Sequence, residues 1–129
     1  MIKMTDELDR LIIDEKKELD KGLLVGILED YIMVVNSGKV IPSSKFFGLN
    51  NKLKVIIYLL SRKVMAIKGI VNEEAAGPST ISQETGIPNG SVKTVLHRYG
   101  KIFLTAVNGK YKIPNYNINR IKEMVVKNE

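Results

Sequence analysis

The chain of 129 residues contains no cysteine and only one histidine. Without cysteine, the protein has no disulfide, no thiolate metal site and no cysteine nucleophile. The single histidine, His97, has no carboxylate near it in sequence, so neither a metal site nor a catalytic triad is expected. A glycine-rich phosphate loop and a nucleophile beside a base are missing as well. We therefore expect a protein that is not an enzyme and holds no metal or cofactor.

Long apolar runs are also missing from the sequence. The longest nearly apolar run, Val55 to Leu60, is much too short to cross a bilayer. The first ten residues, MIKMTDELDR, become acidic at once and contain no apolar core of a signal peptide. The expectation is an intracellular, cytoplasmic protein that does not bind a membrane.

Acidic residues are scarce in the C-terminal part of the chain, although the whole chain has a net charge of +6. Residues 1–50 contain 7 Lys/Arg and 9 Asp/Glu, a balance of −2, whereas residues 51–129 contain 13 and 5, a balance of +8. Between residues 77 and 122, seven Lys/Arg accompany a single acidic residue, Glu84. Many small proteins have a surface this basic, but the split raises the expectation of a polyanionic partner.

Hydrophobic spacing predicts two helices in the first 32 residues. Thr5 is a suitable N-cap for the first helix, and Lys21-Gly22 weakens or ends it. The second helix spans about residues 23–32. Both apolar faces are expected to lie in the core, or else in a dimer interface. The first helix contributes Leu8, Leu11, Ile12 and Leu19 to its apolar face, and the second contributes Leu23, Leu24, Ile27, Leu28, Tyr31 and Ile32.

The next residues predict loops and one long helix. Asn36-Ser37-Gly38 is consistent with a β-hairpin, and Pro42-Ser43-Ser44 marks a loop. A helix begins at Asn50 or Asn51, runs to about Lys68 and stops at Gly69. It is apolar on more than one side, so we expect it to be buried on several sides as the central helix. We divide the chain into an N-terminal helical extension, residues 1–49, as a candidate dimerisation element, and a second domain, residues 50–129.

Two short helices follow in the stretch GPSTISQETGIPNGSVKTVLHRYG, residues 77–100. Gly77 and Pro78 are typical of a helix start, and Gly86 fits the left-handed position that ends the first helix. Asn89 is a suitable cap for the second helix. The predicted inward residues are Ile81, Thr85, Ile87, Val92, Val95, Leu96 and Tyr99. The opposite stripe is polar and basic, and comprises Gly90, Thr94, His97 and Lys101 flanked by Ser91, Lys93 and Arg98.

A hairpin and a closing helix complete the pattern. In IFLTAVNGKYKI, residues 102–113, apolar residues alternate around Asn108-Gly109, which is typical of a type I′ hairpin turn. After Pro114, Ile118, Ile121 and Val125 indicate a helix with Arg120 and Lys122 on its outer side.

This order of elements resembles the winged helix-turn-helix family over about residues 50–113. The stretch is similar to the pattern T-P-x-x-I-A-x-x-T-G-I-P-x-G-T/S-V, common in archaeal and bacterial regulators of this family. Ile81, Gly86, Ile87, Val92 and Leu96 match its structural positions, and Ser82 replaces the usual alanine. The resemblance implies a mostly α fold with a small β-hairpin wing (α+β), here a winged helix-turn-helix with an N-terminal helical extension.

The resemblance also implies a function, that of a sequence-specific double-stranded-DNA-binding protein and transcriptional regulator. Its recognition helix, about residues 89–99, would enter the major groove, and its wing, about residues 103–113, would contact the backbone or minor groove. A homodimer is expected, since proteins with this motif commonly bind paired half-sites. The candidate DNA-binding residues are Asn89, Gly90, Ser91, Lys93, Thr94, His97, Arg98, Lys101, Asn108, Lys110 and Lys112.

Alternative interpretations remain for several of these residues and for the whole chain. His97 is equally consistent with a solvated side chain, and Lys110 and Lys112 with edge-strand charges that oppose aggregation. The alternative function is a winged-helix protein-protein interaction adaptor without specific DNA binding, since fold does not decide function. Its sign would be an exposed apolar patch, for example at Phe46 and Phe47.

Overall fold

The computed structural model describes residues 7–12 and 18–127, which are mostly helical with two small antiparallel hairpins. The predicted α+β class, mostly helical with a small β-hairpin, is confirmed. Within the described ranges, no helix is both long enough and apolar enough to cross a membrane. The elements are a 3-10 turn at Glu7–Leu11, α1 at Lys21–Leu28, β1 at Ile32–Val34, β2 at Val40–Pro42, α2 at Ser44–Phe47, α3 at Asn51–Ile67, α4 at Pro78–Thr85, α5 at Asn89–Tyr99, β3 at Thr105–Val107, β4 at Lys110–Lys112, a 3-10 turn at Asn115–Asn117 and α6 at Ile118–Lys127.

Helix α3 lies at the centre of the fold. Asn50 caps it, because its side-chain oxygen accepts a hydrogen bond of 2.9 Å from the backbone N–H of Leu53. Helix α1 and strand β1 pack against α3, and so do α4, α5 and β4. The expected burial on several sides is confirmed, although Ile67 is exposed. The buried apolar residues of α3 are Leu53, Val55, Ile56, Ile57, Tyr58, Leu59, Leu60 and Met65.

One buried charge on α3 was not expected from the sequence. Lys63 is buried, and only 6% of its side chain is exposed. Its Nζ is 2.9 Å from Oε2 of Glu74, and it donates a hydrogen bond of 2.7 Å to Oδ1 of Asn115. The ammonium group therefore connects α3 to the loop before α4 and to the 3-10 turn before α6.

The start and end of α1 differ from the prediction. Asp20 caps α1 by accepting a hydrogen bond of 3.0 Å from the backbone N–H of Leu23, so Lys21 and Gly22 begin a helix instead of ending one. The helix ends at Leu28, and Ile32 lies in β1 opposite Pro42 of β2. Pairing with β2 buries Ile32 in the core, and this tertiary contact overrides the helical spacing.

The hairpin predicted around Asn36-Ser37-Gly38 is confirmed by strands β1 and β2. The prediction of a loop at Pro42-Ser43-Ser44 is wrong at both ends, because Pro42 is the last residue of β2 and Ser44 the first residue of α2. Ser43 alone connects them, and its hydroxyl donates a hydrogen bond of 2.6 Å to the carbonyl of Asp30. That bond fixes α2 to the turn between α1 and β1.

The first predicted helix is replaced by the 3-10 turn at Glu7–Leu11 in the part of the chain that the structure describes. Leu8, Leu11 and Ile12 are 66%, 85% and 69% exposed, so the prediction that they lie in the core is wrong. A turn of five residues is too short to present a continuous apolar face, and none of its residues is buried. The predicted cap, Thr5, lies outside the described residues.

Residues on both sides of position 50 contribute to one apolar core. Leu24 and Ile27 of α1 and Phe46 of α2 belong to the same cluster as Ile56 of α3 and Ile121 of α6. Helix α1 packs against both α3 and α6. The division of the chain at residue 50 stays a prediction.

Candidate nucleic-acid interface

Helices α4 and α5 are short and are separated by a tight turn. Gly77 precedes α4 and Pro78 is its first residue, as predicted, since the missing proline N–H costs nothing there. Gly86 has a φ of 78° and ends α4 in the left-handed conformation, which glycine adopts without strain. Ile81 and Ile87 are buried on either side of this turn. The local signals in the sequence therefore placed the two helices correctly.

Two hydroxyl groups fix the turn between α4 and α5. Ser82 donates a hydrogen bond of 2.6 Å to the carbonyl of Ile87. Thr85 donates one of 2.6 Å to the carbonyl of Ile81, and its oxygen accepts the N–H of Ile87 at 3.3 Å. The serine that departs from the family pattern thus joins α4 to the turn. Sequence reasoning missed this role because it treated position 82 as a place for a small apolar residue.

Helix α5 spans Asn89–Tyr99, the range predicted for the recognition helix. The cap prediction is wrong. Pro88 occupies the N-cap position with a φ of −54°, and Asn89 is the first helical residue without a side-chain capping bond. The proline ring fixes the backbone there, and the helix starts one residue earlier than a cap at Asn89 would place it. Val92 and Leu96 are buried as predicted, so the inner face of α5 is held in the core.

The outer face of α5 is polar and basic. Within the eleven residues of this helix, all of which the structure describes, there is no Asp or Glu. The Thr94 hydroxyl donates to the carbonyl of Gly90 at 3.0 Å and keeps its acceptor capacity toward solvent. Ser91 is half-buried, whereas the exposed candidates on and just after the helix are Asn89, Gly90, Lys93, Thr94, His97, Arg98 and Lys101.

Strands β3 and β4 form the second hairpin. Thr105 pairs with Lys112 and Val107 with Lys110, so the strands occupy the middle of the predicted wing, residues 103–113. Asn108 and Gly109 connect them with φ values of 52° and 76°, as a type I′ turn requires. Asn108 and Lys110 are exposed, and Lys112 is half-buried.

The hairpin is hydrogen-bonded to the residue that precedes α4. Ala76 and Tyr111 exchange two backbone hydrogen bonds, each of 2.9 Å. Because Gly77 and Pro78 follow directly, these two bonds fix β4 relative to the start of α4. The hairpin is thus bonded to the start of α4, and α4, α5 and β4 all pack against α3.

One candidate lysine already has an acidic partner. Nζ of Lys110 lies 2.6 Å from Oε1 of Glu73, and the two side chains are 49% and 56% exposed. Glu73 lies in the loop between α3 and α4, where Arg62 of α3 donates hydrogen bonds to the carbonyls of three consecutive residues, 73, 74 and 75, at 2.7, 3.3 and 3.4 Å. Sequence reasoning missed Glu73, because 37 residues separate it from Lys110.

Two more cations lie near the C-terminal end of α5. The rings of Tyr99 and Phe103 stack with centroids 6.3 Å apart. Nζ of Lys52 is 5.2 Å from the centre of the Tyr99 ring, and the Arg120 guanidinium is 5.1 Å from that of Phe103. Aromatic faces attract cations at this distance. Arg120 is exposed, as predicted, but its position is set by an aromatic ring.

The described residues also limit the chemistry of this surface. No three His, Asp or Glu side chains are grouped there as a metal ion would need. The hydroxyl of Tyr58, on α3 behind α4, is buried, and burial raises its pKa above the usual value of 10.0. The Arg62 charge opposes this rise and the Glu84 charge adds to it. The phenol is therefore protonated and neutral at physiological pH.

We compared the chain with known families, curated proteins and solved structures. No family model, curated protein or solved structure is significantly similar to this chain.

Proposed function

We propose that the chain is a sequence-specific double-stranded-DNA-binding protein of the winged helix-turn-helix type that acts as a cytoplasmic transcriptional regulator. In this proposal α5 is the recognition helix in the major groove, and the β3–β4 hairpin is the wing on the backbone. One observation supports it above the others: α5 presents a basic face free of carboxylates while its opposite face is buried. The proposal includes no cofactor and no catalysed reaction.

The size and charge of α5 suit the major groove. Its eleven residues make a rod about 16 Å long, and the groove, about 12 Å wide, admits an α-helix. Lys93 and Arg98 add positive charge on α5, and Lys101 adds more directly after it. Contact of such groups with phosphates releases condensed counterions, which supplies much of the binding free energy.

Position 90 gives an independent reason to expect a partner at the start of α5. A Cβ atom added to Gly90 would meet no atom within 4 Å, so no neighbour in the fold requires glycine there. Glycine also weakens a helix relative to alanine. Close approach of a DNA backbone to the first turn would explain the residue, since exposed N–H groups there attract phosphate.

The candidate residues have different roles in the proposal. Lys93 and Arg98 contact phosphates, because most protein–DNA hydrogen bonds go to the backbone. Thr94 and His97, on the central stripe of α5, contact base edges and specify sequence. The other candidates position the helix and the hairpin on the duplex: Asn89, Ser91, Lys101, Asn108, Lys110 and Lys112.

The test is a titration of labelled duplex DNA, followed by fluorescence anisotropy at several salt concentrations. For the wild type, log K is expected to fall linearly with log salt. Replacing Lys93 and Arg98 by alanine removes two phosphate contacts and reduces the slope by up to about 1.8. Affinity is expected to fall by a similar factor on every DNA sequence. Alanine at Thr94 or His97 is expected to change the preference between sequences instead.

A matched control removes the same charge elsewhere. Lys39 lies in the β1–β2 turn and Lys122 on α6, and both are exposed. The variant with alanine at both positions has the same net charge as the Lys93/Arg98 variant and is expected to keep most of the wild-type slope. If both variants lose affinity and salt slope equally, the effect comes from net charge alone. That result would refute the assignment of α5 as the recognition helix.

The apolar patch expected for the adaptor alternative is only partly present. Phe47 is exposed beside the buried Phe46, with the two rings 5.7 Å apart in an edge-to-face arrangement. Only Phe47 is thus available to a partner, so the exposed patch is smaller than the one expected from the sequence, which included both phenylalanines. Absence of DNA binding at low salt would favour a protein-docking role over the regulator.

A further inference from the structure

An apolar groove lies between α1 and the C-terminal half of α3. It consists of two adjoining hollows that share Val25 of α1 and Val64 of α3. One hollow continues toward β1 and the other toward the end of α3. The remaining apolar lining residues are Leu28, Ile32, Met33 and Val34 in the first hollow, and Leu19, Leu24 and Ile67 in the second.

The side chains around this groove are unusually exposed for their type. Val25 is 55% exposed, Met33 66% and Ile67 48%. Ile41, which is 52% exposed, pairs directly with Met33 across the β1–β2 hairpin, so the two side chains lie on the same face. Adjoining exposed apolar side chains make this face the candidate for an interaction site. None of these residues belongs to α5 or to the β3–β4 hairpin.

The two ends of the groove have opposite charges. Glu29, directly after α1, lines the first hollow, and Lys21 and Lys68 line the second. None of the three forms an ion pair with another residue in the described part of the chain. The eight residues of α1 separate the two ends by about 12 Å. Lys21 also borders an adjoining hollow that contains Glu18 and Glu74, so Lys68 is the cation of this end that lines only the apolar groove. Lysine at one end and glutamate at the other make the groove complementary to its own copy turned end for end.

These charges do not serve the stability of α1 itself. A lysine at the start of a helix and a glutamate at its end both oppose the helix dipole. Lys21 is the first residue of α1 and Glu29 its C-cap, so each has the less favourable sign. A partner that brings the opposite charge to each end would account for the arrangement.

We propose that this groove is the interface between two copies of the chain, related by a twofold axis near Val25. In this dimer the two α1 helices run antiparallel, and Glu29 of each copy lies near the partner's Lys21 and Lys68. Such an interface is isologous, because the same patch is used on both sides. The inference does not depend on DNA binding and is tested without DNA.

Sedimentation equilibrium of the full chain over a wide concentration range tests the dimer. The wild type is expected to reach twice the mass of one chain. Glu29→Lys brings like charges together at both ends and is expected to weaken the dimer roughly tenfold or more. The Lys21→Glu/Lys68→Glu variant is expected to do the same. The triple variant restores opposite charges at each end and is expected to dimerise again.

Two controls separate the interface from the fold. Asp30→Lys makes the same charge change at the next position, outside the groove, and is expected to leave the dimer intact. Val25→Glu places two carboxylates at the axis and is expected to give a folded monomer, since residue 25 is on the exposed face of α1.

Three results would overturn the proposal: a monomeric wild type at every concentration, charge-reversal variants that dimerise as the wild type does, or a triple variant that stays monomeric. If the wild type is monomeric and Val25→Glu lowers its thermal stability, the groove is covered by another segment of the same chain and not by a second copy.

Discussion

The ion pair between Glu73 and Lys110 predicts that an acidic residue restrains DNA binding. Their charged atoms are 2.6 Å apart in the free protein. A phosphate that takes Lys110 as its partner must replace this carboxylate and is repelled by it at short range. Glu73→Gln removes both effects and keeps the size of the side chain. We therefore expect the variant to bind duplex DNA more tightly than the wild type.

The size of this gain follows from the exposure of the pair. Both side chains are about half exposed, and an exposed ion pair contributes about 0.2–1 kcal/mol. Breaking such a pair corresponds to a factor of about 1.4 to 5 in the dissociation constant. The gain is expected to shrink as salt rises, because salt screens exposed charges. Anisotropy titrations of both proteins on one duplex, from low to physiological salt, measure it directly.

Two comparisons decide whether the effect comes from Lys110. Asp30→Asn removes an exposed carboxylate from another surface pair, whose atoms are 4.0 Å apart, and measures the effect of net charge alone. In a Lys110→Ala background, Glu73→Gln is expected to have no effect beyond that of Asp30→Asn. A folded Glu73→Gln variant that binds no more tightly than the Asp30→Asn control would refute the reasoning.

Two further predictions concern stability. Glu74→Gln leaves the Lys63 charge buried without its counter-ion and is expected to lower the free energy of unfolding by about 3 kcal/mol in urea titrations. The double variant Lys63→Met/Glu74→Leu is expected to restore most of that free energy. A Glu74→Gln variant as stable as the wild type would contradict the role of the pair. The pKa of Tyr58 is raised in the folded state, so as pH rises the unfolded chain loses this proton before the folded chain does. The free energy of unfolding of the wild type therefore falls as pH rises above about 10. Tyr58→Phe is expected to reduce this alkaline loss relative to the wild type, and equal slopes of stability against pH in the two proteins would contradict it.

Local signals explain which parts of the fold could be predicted. Pro78 and Gly86 mark the ends of α4, and Asn108-Gly109 the hairpin turn, because each acts through its own backbone angles. The inward positions of α5 follow from helical spacing alone, without knowledge of what they touch. The placement of α5 and of the β3–β4 hairpin was therefore predictable from the sequence.

Contacts between distant residues explain what was not predictable. Ile32 continues the helical spacing of α1 but lies in β1, because pairing with β2 buries it. Glu73 lies next to Lys110 only because the Ala76–Tyr111 hydrogen bonds bring the hairpin to the loop before α4. The part of the candidate site made by side chains on one helix was visible in the sequence, and the part made by neighbouring loops was not. Binding of DNA by these residues stays a prediction.

Arg62 links the conformation of the loop before α4 to the helix behind it. This loop has no regular structure of its own, and its three successive carbonyls accept hydrogen bonds from this one guanidinium. The path of the loop therefore depends on a side chain of α3. Glu73, the partner of Lys110, and Ala76, the partner of Tyr111, lie at or directly after these carbonyls. One side chain of the central helix thus positions both connections between this loop and the β3–β4 hairpin.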